Sequence, residues 1–286
     1  MNIGVIYPQV EFGFDPAAIR DYAQTAESLG FTHVLAYDHV LGANPERPGG
    51  WKGPYTYHDG FMESFVLFTF MAAHTTKLGF TTGIMILGQR QTALVAKQAA
   101  TLDVLCGGRL RLGVGNGWNE VEYIALGMDF HNRGKRTEEQ IDVLRKLWSQ
   151  ELVVYNGQWH TIPDAGLKPM PIQQPIPIWF GGYDDRVLDR VARLGDGWMP
   201  NCPFDVTAPF LEKLWSLMDK HGRKRDGFGL EARIVWGEGD PDAWRAQLES
   251  WKGAGATHIT FDTMRVGFDT PAKHIDAIRK VAAAAL

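Results

Sequence analysis

Cysteine is scarce in this chain, which carries only Cys106 and Cys202 among its 286 residues. The two lie far apart and form no metal-type pair, so they argue against a disulfide framework and suit a reducing compartment. No stretch approaches about 18 apolar residues without a charge, which gives no candidate for a membrane-spanning helix. The first residues, MNIGVIYPQV, enter a strand without a charged segment followed by an apolar one. We therefore expect a soluble, cytoplasmic protein.

Positive charge is also lacking, since the formal net charge is -4. That balance gives no electrostatic footprint for nucleic acid. The His, Cys and carboxylate residues show no spacing typical of a metal site, and no G-x-S-x-G nucleophile elbow is present. These absences disfavour a nucleic-acid partner, a metal-dependent barrel hydrolase and a serine hydrolase.

What the sequence does contain is a regular alternation of short β-branched runs and helical patterns. The predicted strands are 2–6, 33–37, 77–85, 110–115, 176–180, 197–200, 229–236 and 257–262. The predicted helices are 15–29, 59–73, 92–105, 136–149, 184–194, 208–221, 240–252 and 271–285. Eight such units indicate parallel strands with right-handed crossovers.

The number of units favours a closed barrel over an open doubly wound sheet. An open sheet more often shows a Gly-rich phosphate loop after strand one, and the segment IYPQVEFGF is not one. Residues 150–175 interrupt the alternation with an Asn-Gly turn and a proline series, typical of an insertion. The sequence therefore predicts an α/β fold, a TIM (β/α)8 barrel forming one domain over 1–286, with an insertion between strands four and five.

In such a barrel, the loops at the C-terminal ends of the strands assemble the site. The polar and glycine residues predicted at this rim are Asp38, His39, Thr82, Gly83, Ile84, Gly115, Asn116, Gly117, Trp118, Gly181 and Gly182. Taken singly, each residue has a structural explanation. Acids and histidines can hydrogen-bond within turns, and glycines permit tight turns. Together they favour a cofactor pocket: the helix start after the paired glycines can hold a phosphate, and the Trp and Phe of the mouth suit a planar ring.

Several segments carry a resemblance to a known family. They are AYDHV, TKLGFTTGIMILGQRQTALVAKQAATLDVLCGGRLRLGVGNGWNEVEY, GKRTEEQIDVLRKLW, PIPIWFGG and RLGDGWMP. In these segments the chain resembles the bacterial luciferase-like flavin and deazaflavin oxidoreductases, and most closely the branch dependent on coenzyme F420. The resemblance implies a cofactor in the barrel mouth, a homodimer, and a bulge at Gly83-Ile84 with a non-proline cis peptide that supports the cofactor ring.

The resemblance also implies residue roles and a reaction. Asp38 would hydrogen-bond ring or tail atoms of the cofactor, and His39 would be the general acid/base. Histidine suits that role because its ordinary pKa of about 6.5 allows proton exchange at neutral pH. We therefore expect an F420-dependent oxidoreductase that transfers a hydride between the deazaflavin and a small organic substrate.

One branch of that family fits less well. Its sugar-phosphate dehydrogenases carry Glu where this chain has Trp118, and Trp where it has Ala43, which argues against sugar-phosphate oxidation. The loop from Pro45 to His58 is expected to cover the mouth, where Trp51, Tyr55 and Tyr57 either shape an apolar substrate site or pack as a lid. The substrate itself is not specified.

Two other functions stay open at this point. An FMN-dependent luciferase-like monooxygenase, which uses molecular oxygen, shares the barrel and the phosphate site. A flavin carrier or a barrel without chemistry is the third possibility, against which the presence of His39 at the rim argues.

Overall fold

The computed structural model describes all residues from Met1 to Leu286. Its strands are β1 Asn2–Ile6, β2 His33–Ala36, β3 Gly79–Thr82, β4 Met85–Ile86, β5 Leu110–Gly115, β6 Val153–Asn156, β7 Thr161–Ala165, β8 Ile178–Gly181, β9 Gly197–Met199, β10 Gly229–Val235 and β11 His258–Asp262. Its helices are α1 Gln9–Phe12, α2 Pro16–Leu29, α3 Ser64–Ala72, α4 Thr92–Leu105, α5 Glu120–Ala125, α6 Arg133–Ser149, α7 Asp185–Leu194, α8 Phe204–Lys220, α9 Pro241–Gly253 and α10 Pro271–Ala285, with a 3-10 turn at Leu87–Gln89.

Eight of these strands close a parallel barrel in the order β1, β2, β3, β5, β8, β9, β10 and β11, and β11 pairs back onto β1. The predicted TIM-barrel fold is confirmed. Strands β6 and β7 form a separate antiparallel hairpin between the fourth and fifth barrel strands, where the insertion was predicted.

Local capping signals set most helix starts. Asp15, Asp184 and Asp240 each accept a hydrogen bond from a backbone N–H of the first helical turn, which compensates donors that the helix leaves free. The predicted start of α3 at Asp59 is wrong, because Glu63 caps that helix through Val66 N at 2.9 Å. The carboxylate of Asp59 instead accepts from Thr56 N at 2.7 Å within the preceding loop.

The helix starts of α6 and α8 also differ from the prediction. Helix α6 begins three residues earlier than expected, at Arg133, and α8 begins four residues earlier, at Phe204. The early start places Pro209 inside α8. Proline lacks the N–H that bonds to the preceding turn, so it is most favourable at the first helical position. This preference is the reason for the predicted start at Ala208.

The main apolar core lies between the barrel and the surrounding helices, whereas the bottom of the barrel interior is charged. Glu231 on β10 accepts from Arg111 Nη2 at 2.5 Å and lies 2.8 Å from His33 Nε2. Burial raises the pKa of Glu231, but Arg111 and His33 outweigh burial and bring that pKa down to about 2. The Arg111 guanidinium also lies 4.1 Å from the centre of the Trp179 ring. This layer closes the barrel below the mouth.

None of the helices combines the length and the hydropathy that crossing a bilayer requires.

Candidate active site

The C-terminal ends of the barrel strands open into a cavity of about 1590 Å³. Every predicted site residue except Thr82 lines it. Thr82 is fully buried, and its hydroxyl donates to the Gly113 carbonyl at 2.8 Å, so this side chain joins β3 to β5 rather than facing a ligand. The residues predicted at one rim therefore line one cavity, and Thr82 is the exception.

The floor of the cavity is built by a break in the third barrel strand at Gly83 and Ile84, between β3 and β4. The predicted bulge is present, but the predicted cis peptide is wrong: the only cis bonds precede Pro169 and Pro175. The chain changes direction instead at Ile84, whose φ is 81°. For a β-branched residue that conformation costs about 1–3 kcal/mol, so the packing around it has to hold it in place.

Glycines on the two neighbouring strands make room for Ile84. A Cβ at Gly181 would collide with the Ile84 side chain, and a Cβ at Gly115 would lie 2.5 Å from its Cγ2. Similarly, a Cβ at Gly117 would lie 2.8 Å from Ile86 Cγ2. The glycines therefore allow two isoleucine side chains to form an apolar floor across the barrel mouth.

Asp38 forms an ion pair at the end of β2. Its carboxylate accepts from Arg90 Nη2 through both oxygens at 2.9 Å and from the Ser64 hydroxyl at 3.0 Å, and the residue is 3% exposed. Arg90 also donates to Glu63 at 2.9 Å. Both Asp38 oxygens therefore have partners within the protein, and the role predicted for Asp38 toward the cofactor stays a prediction. Its structural effect is to fix the loop that carries His39.

His39 is paired with a carboxylate that the sequence did not point to, Glu122 of α5. His39 Nδ1 lies 3.3 Å from Glu122 Oε1, which also accepts from the backbone N–H groups of Val40 at 2.7 Å and Leu41 at 3.1 Å. Gln89 donates to the other oxygen at 3.1 Å. Burial raises the pKa of Glu122, but the hydrogen bonds from His39 and the backbone outweigh burial, so the net pKa is lowered.

This pairing fixes the chemistry of the imidazole. A carboxylate only accepts hydrogen bonds, so Nδ1 carries the proton and Nε2 is left for a reacting group. Glu122 could have been suspected because it is an acid on the otherwise apolar face of the short segment EVEYIA. Its partner, however, is 83 positions earlier in the chain, and that distance cannot be read from the sequence.

Aromatic rings enclose His39. The ring centres of Tyr55, Phe61 and Trp118 lie 5.1, 4.9 and 5.5 Å from that of His39. Trp51 packs on Trp118 and donates to the Tyr55 carbonyl at 2.7 Å. Of the three aromatic residues predicted in the covering loop, Tyr55 lines the cavity, Trp51 supports it, and Tyr57 is 59% exposed.

The helix start after Gly181-Gly182 is not arranged for a phosphate. The Asp184 carboxylate already accepts from Arg186 N and Val187 N, both at 3.0 Å, and therefore occupies the position that an anion would take. The predicted phosphate site at this helix is not supported, because the N-cap carboxylate and Asp185 repel a second anion.

The N-terminus of α6 offers a better anion site on the same cavity. Its N-cap, Asn132, makes no side-chain capping bond, and no acid lies in the first turn. Arg190, 6% exposed, donates through Nε to Glu138 at 3.1 Å, and its Nη2 would lie 3.1 Å from a Cβ added at Gly134. The donor on this side of the cavity is the Asn116 amide nitrogen, which would lie 3.8 Å from a Cβ at Gly134. Free N–H groups and a guanidinium are the partners that a phosphate takes.

The lining as a whole fits a phosphate-bearing cofactor with a flat ring. The apolar floor of Ile84 and Ile86 suits a ring, and the α6 N-terminus with Arg190 suits a phosphate. Lys135 and Arg186 also line the cavity and take part in no ion pair with the protein, although Asp129, Asp184 and Asp185 line it as well. No group of three or more His, Cys, Asp or Glu residues is placed to hold a metal ion.

Comparison with known proteins gives a family match over nearly the whole chain. A family model described as luciferase-like monooxygenase matches residues 2–285. An uncharacterized protein of Mycobacterium tuberculosis is 40% identical over 186 residues, which are 62% of this chain and 62% of that protein, so less than two thirds of that relative is covered. Pyrimidine monooxygenase RutA of Variovorax paradoxus is 31% identical over 84% of this chain and 64% of its own.

Among solved structures, the coenzyme F420 dependent tetrahydromethanopterin reductase from Methanopyrus kandleri superposes with a TM-score of 0.77 over 99% of this chain and 97% of its own. At 18% identity this likeness concerns the fold alone.

Proposed function

This chain belongs to the luciferase-like monooxygenase family, and we propose that it is an oxidoreductase that uses coenzyme F420 to transfer a hydride to or from a small organic substrate. The observation that carries the proposal is the His39–Glu122 pair at the edge of the cavity. Hydride transfer to a carbonyl or an activated double bond requires a proton as well, and this pair is built to deliver one.

The residues that would hold the cofactor follow from the lining. Ile84 and Ile86 support the ring, and Gly115, Gly117 and Gly181 admit them to the floor. The N-terminus of α6, with Arg190 and Asn116, would hold the phosphate. When bound, the deazaflavin supplies or accepts the hydride.

His39 performs the proton step. The ionised Glu122 keeps Nδ1 protonated and stabilises the imidazolium that forms when Nε2 takes a proton from a substrate. In the opposite direction the imidazolium donates from Nε2. The rings of Tyr55, Phe61 and Trp118 restrict water around this nitrogen, which strengthens the ion pair with Glu122.

Two cavity-lining cations without an ion-pair partner support F420 over FMN. The FMN tail ends in one phosphate, whereas the F420 tail continues with carboxylates of glutamate residues. Lys135 and Arg186, which line the cavity and take part in no ion pair, would be available to the carboxylates of such a tail.

The second candidate is an FMN-dependent monooxygenase, favoured by the 31% identity to pyrimidine monooxygenase RutA. The two functions differ in their need for oxygen. A panel of carbonyl and unsaturated compounds should oxidise reduced F420 under argon in the presence of the enzyme, with the increase in F420 absorbance as the readout. Turnover only with reduced FMN and only in air would contradict the proposal and support the second candidate.

A further inference from the structure

The tip of the insertion hairpin, residues 157–160 between β6 and β7, borders the main cavity. Gln158 and Trp159 line the cavity together with the first turn of α6. Trp159 is half-buried, and its indole Nε1 donates no hydrogen bond within the protein. An indole N–H can only donate, so it is available to an acceptor atom of a ligand.

Glu139, a residue of α6, holds this tip in place. Its carboxylate accepts from three consecutive backbone N–H groups, those of Gln158 at 2.8 Å, Trp159 at 2.9 Å and His160 at 2.8 Å. Gly157 lets the carboxylate come this close, because a Cβ added there would collide with Glu139 Oε1. Burial raises the pKa of Glu139, but the hydrogen bonds from His160 and the backbone outweigh burial, so the net pKa is lowered.

The His160 side chain ties the same tip to α4. Its Nδ1 lies 2.8 Å from Glu139 Oε1, and a carboxylate only accepts, so Nδ1 carries the proton. Its Nε2 therefore accepts from the Thr92 hydroxyl, 2.6 Å away at the start of α4. Thr92 is 4% exposed and accepts in turn from Gln140 Nε2 at 3.0 Å. Contacts to two helices thus set the position of Trp159.

These contacts place Trp159 beside the N-terminus of α6. Lys135 and Glu139 are four positions apart on this helix, and residues with that spacing lie on one face. The hairpin tip that binds Glu139 therefore lies next to the first turn, whose N–H groups form the candidate anion site. Gln158 and Trp159 add uncharged side chains to this end of the cavity.

The two acids in the first two turns of α6 do not oppose an anion there, because both are paired. Glu138, which lines the cavity, pairs with Arg190 at 3.1 Å and with Arg193 at 3.0 Å. Glu139 is paired with the hairpin. The wall between α6 and the hairpin thus offers N–H donors, and the charges of its carboxylates are compensated.

We infer that the insertion hairpin forms a second wall of the phosphate site, in which Trp159 Nε1 donates a hydrogen bond to the cofactor phosphate and Glu139 is the positioning residue that holds Trp159 there. An N–H that donates to a charged oxygen makes a stronger hydrogen bond than one that donates to a neutral acceptor. The inference rests on the proposed function, which places the phosphate at the N-terminus of α6. It assigns to the insertion a contribution to the affinity for the phosphate that does not involve the ring.

The test compares ligands that differ only beyond the ribityl chain. FMN is paired with riboflavin, and F420 is paired with its phosphate-free core, the deazaflavin ring with its ribityl chain. Equilibrium dialysis, with the absorbance of the ligand as readout, gives the affinity of each ligand for the wild-type protein and its variants. Within a pair, the ratio of the two affinities measures the contribution of the phosphate end, whereas a general loss of structure lowers both affinities.

Trp159→Phe keeps an aromatic ring but removes the N–H. The affinity for the phosphate-bearing ligand should fall on the order of 10-fold, and that for its phosphate-free partner should change by less than about two-fold. Trp215→Phe is the matched control, because Trp215 packs on Phe228 outside the cavity, and it should leave both affinities unchanged. An equal change for both ligands of a pair in Trp159→Phe, or no change for either, would overturn the inference.

Glu139→Ala removes the acceptor of the three backbone N–H groups without removing a contact to the ligand. It should lower the affinity for the phosphate-bearing ligand about as much as Trp159→Phe does, again with little effect on the phosphate-free partner. Because Glu139 acts through Trp159, the double variant should lose no more affinity than Glu139→Ala alone. Additive losses, or a loss in Glu139→Ala that is equal for both ligands of a pair, would overturn the positioning role of Glu139.

Failure of the proposed cofactor is distinguishable from failure of this inference. A selective loss of FMN affinity in Trp159→Phe, in a protein that does not bind F420, would contradict the proposed function and support the hairpin site. Binding of F420, with equal effects of Trp159→Phe on F420 and on its core, would contradict only this inference. A wild-type protein that binds neither FMN nor F420 would overturn both.

Discussion

At the scale of single residues, the proton transfer proposed for His39 depends on its pairing with Glu122. The carboxylate is buried and also receives the backbone N–H groups of Val40 and Leu41, so it fixes both the imidazole and the loop that follows it. Asp38 contributes to the same loop through Arg90. The acid next to the histidine in the sequence is therefore paired with Arg90, and the acid paired with the histidine is remote in the sequence.

The substitution Glu122→Gln separates the two effects of Glu122, which are to hold the loop after His39 and to stabilise a protonated imidazole. The amide oxygen of a glutamine at this position would still accept hydrogen bonds from the backbone but could not stabilise an imidazolium, so turnover should fall on the order of 100-fold, the lower end for loss of general acid–base catalysis. Cofactor affinity should stay within about two-fold, because Glu122 is not part of the floor or the α6 N-terminus. Steady-state rates and cofactor titration of the same preparation check both.

The variant His39→Ala is the reference for that measurement. If Glu122 acts through His39, combining the two substitutions should lower turnover no further than His39→Ala alone. Additive losses, or full turnover of His39→Ala with normal cofactor binding, would contradict the assigned proton step.

At the scale of elements, the floor of the mouth depends on the fit between the Gly83-Ile84 bulge and the glycines of β5 and β8. Gly181→Ala should lower the free energy of unfolding by about 1–3 kcal/mol, because the new Cβ collides with Ile84. In the double variant Gly181→Ala, Ile84→Ala, the collision is absent, so the effect of Gly181→Ala should become small. Urea unfolding measures this coupling.

Gly253→Ala is the matched control, since this glycine ends α9 and a Cβ there meets nothing within 4 Å. It should be neutral or stabilise by up to about 1 kcal/mol. If Gly181→Ala lowered stability equally in the wild-type protein and in the Ile84→Ala variant, the glycine would serve another purpose.

Elements were predictable where the signal is local. Asp-Pro before a helix and β-branched runs between turns depend on neighbouring residues, which is why α2, α4, α9, α10, β1 and β5 begin or end at or close to the predicted residues. The start of α3 was missed because Asp59 and Glu63 are both possible caps, and Arg265, 206 positions away, binds Asp59. The pairing of His39 with Glu122 and the free N-terminus of α6 likewise depend on remote contacts that only the folded chain provides.

At the scale of the whole molecule, the partly buried His258 and the fully buried His274 make the barrel sensitive to acid. Burial lowers the pKa of His258, at the charged layer inside the barrel, to about 3, and that of His274 on α10 to about 4. The unfolded chain binds protons at these histidines below about pH 6.5, whereas the folded chain does not, so stability decreases as the pH falls from about 6.5 toward 4. Glu231, with its pKa lowered to about 2, loses stabilisation only below about pH 4.5.

The free energy of unfolding should therefore be lower at pH 5 than at pH 7 by about 2 kcal/mol for each of the two histidines. In His274→Gln the difference between the two pH values should shrink by about that amount. Urea unfolding at both pH values checks this, and a wild-type stability that is equal at pH 5 and pH 7 would contradict the account of the buried histidines.

The central claim, that the mouth holds a deazaflavin with an extended anionic tail, is tested most directly by titrating the protein with oxidised coenzyme F420 and with FMN under identical conditions. Trp118 and Trp159 line the cavity, so quenching of tryptophan fluorescence reports binding. The account predicts that F420 binds more tightly than FMN, and that Lys135→Gln weakens F420 but not FMN. Tighter binding of FMN, with no effect of Lys135→Gln on either cofactor, would contradict it.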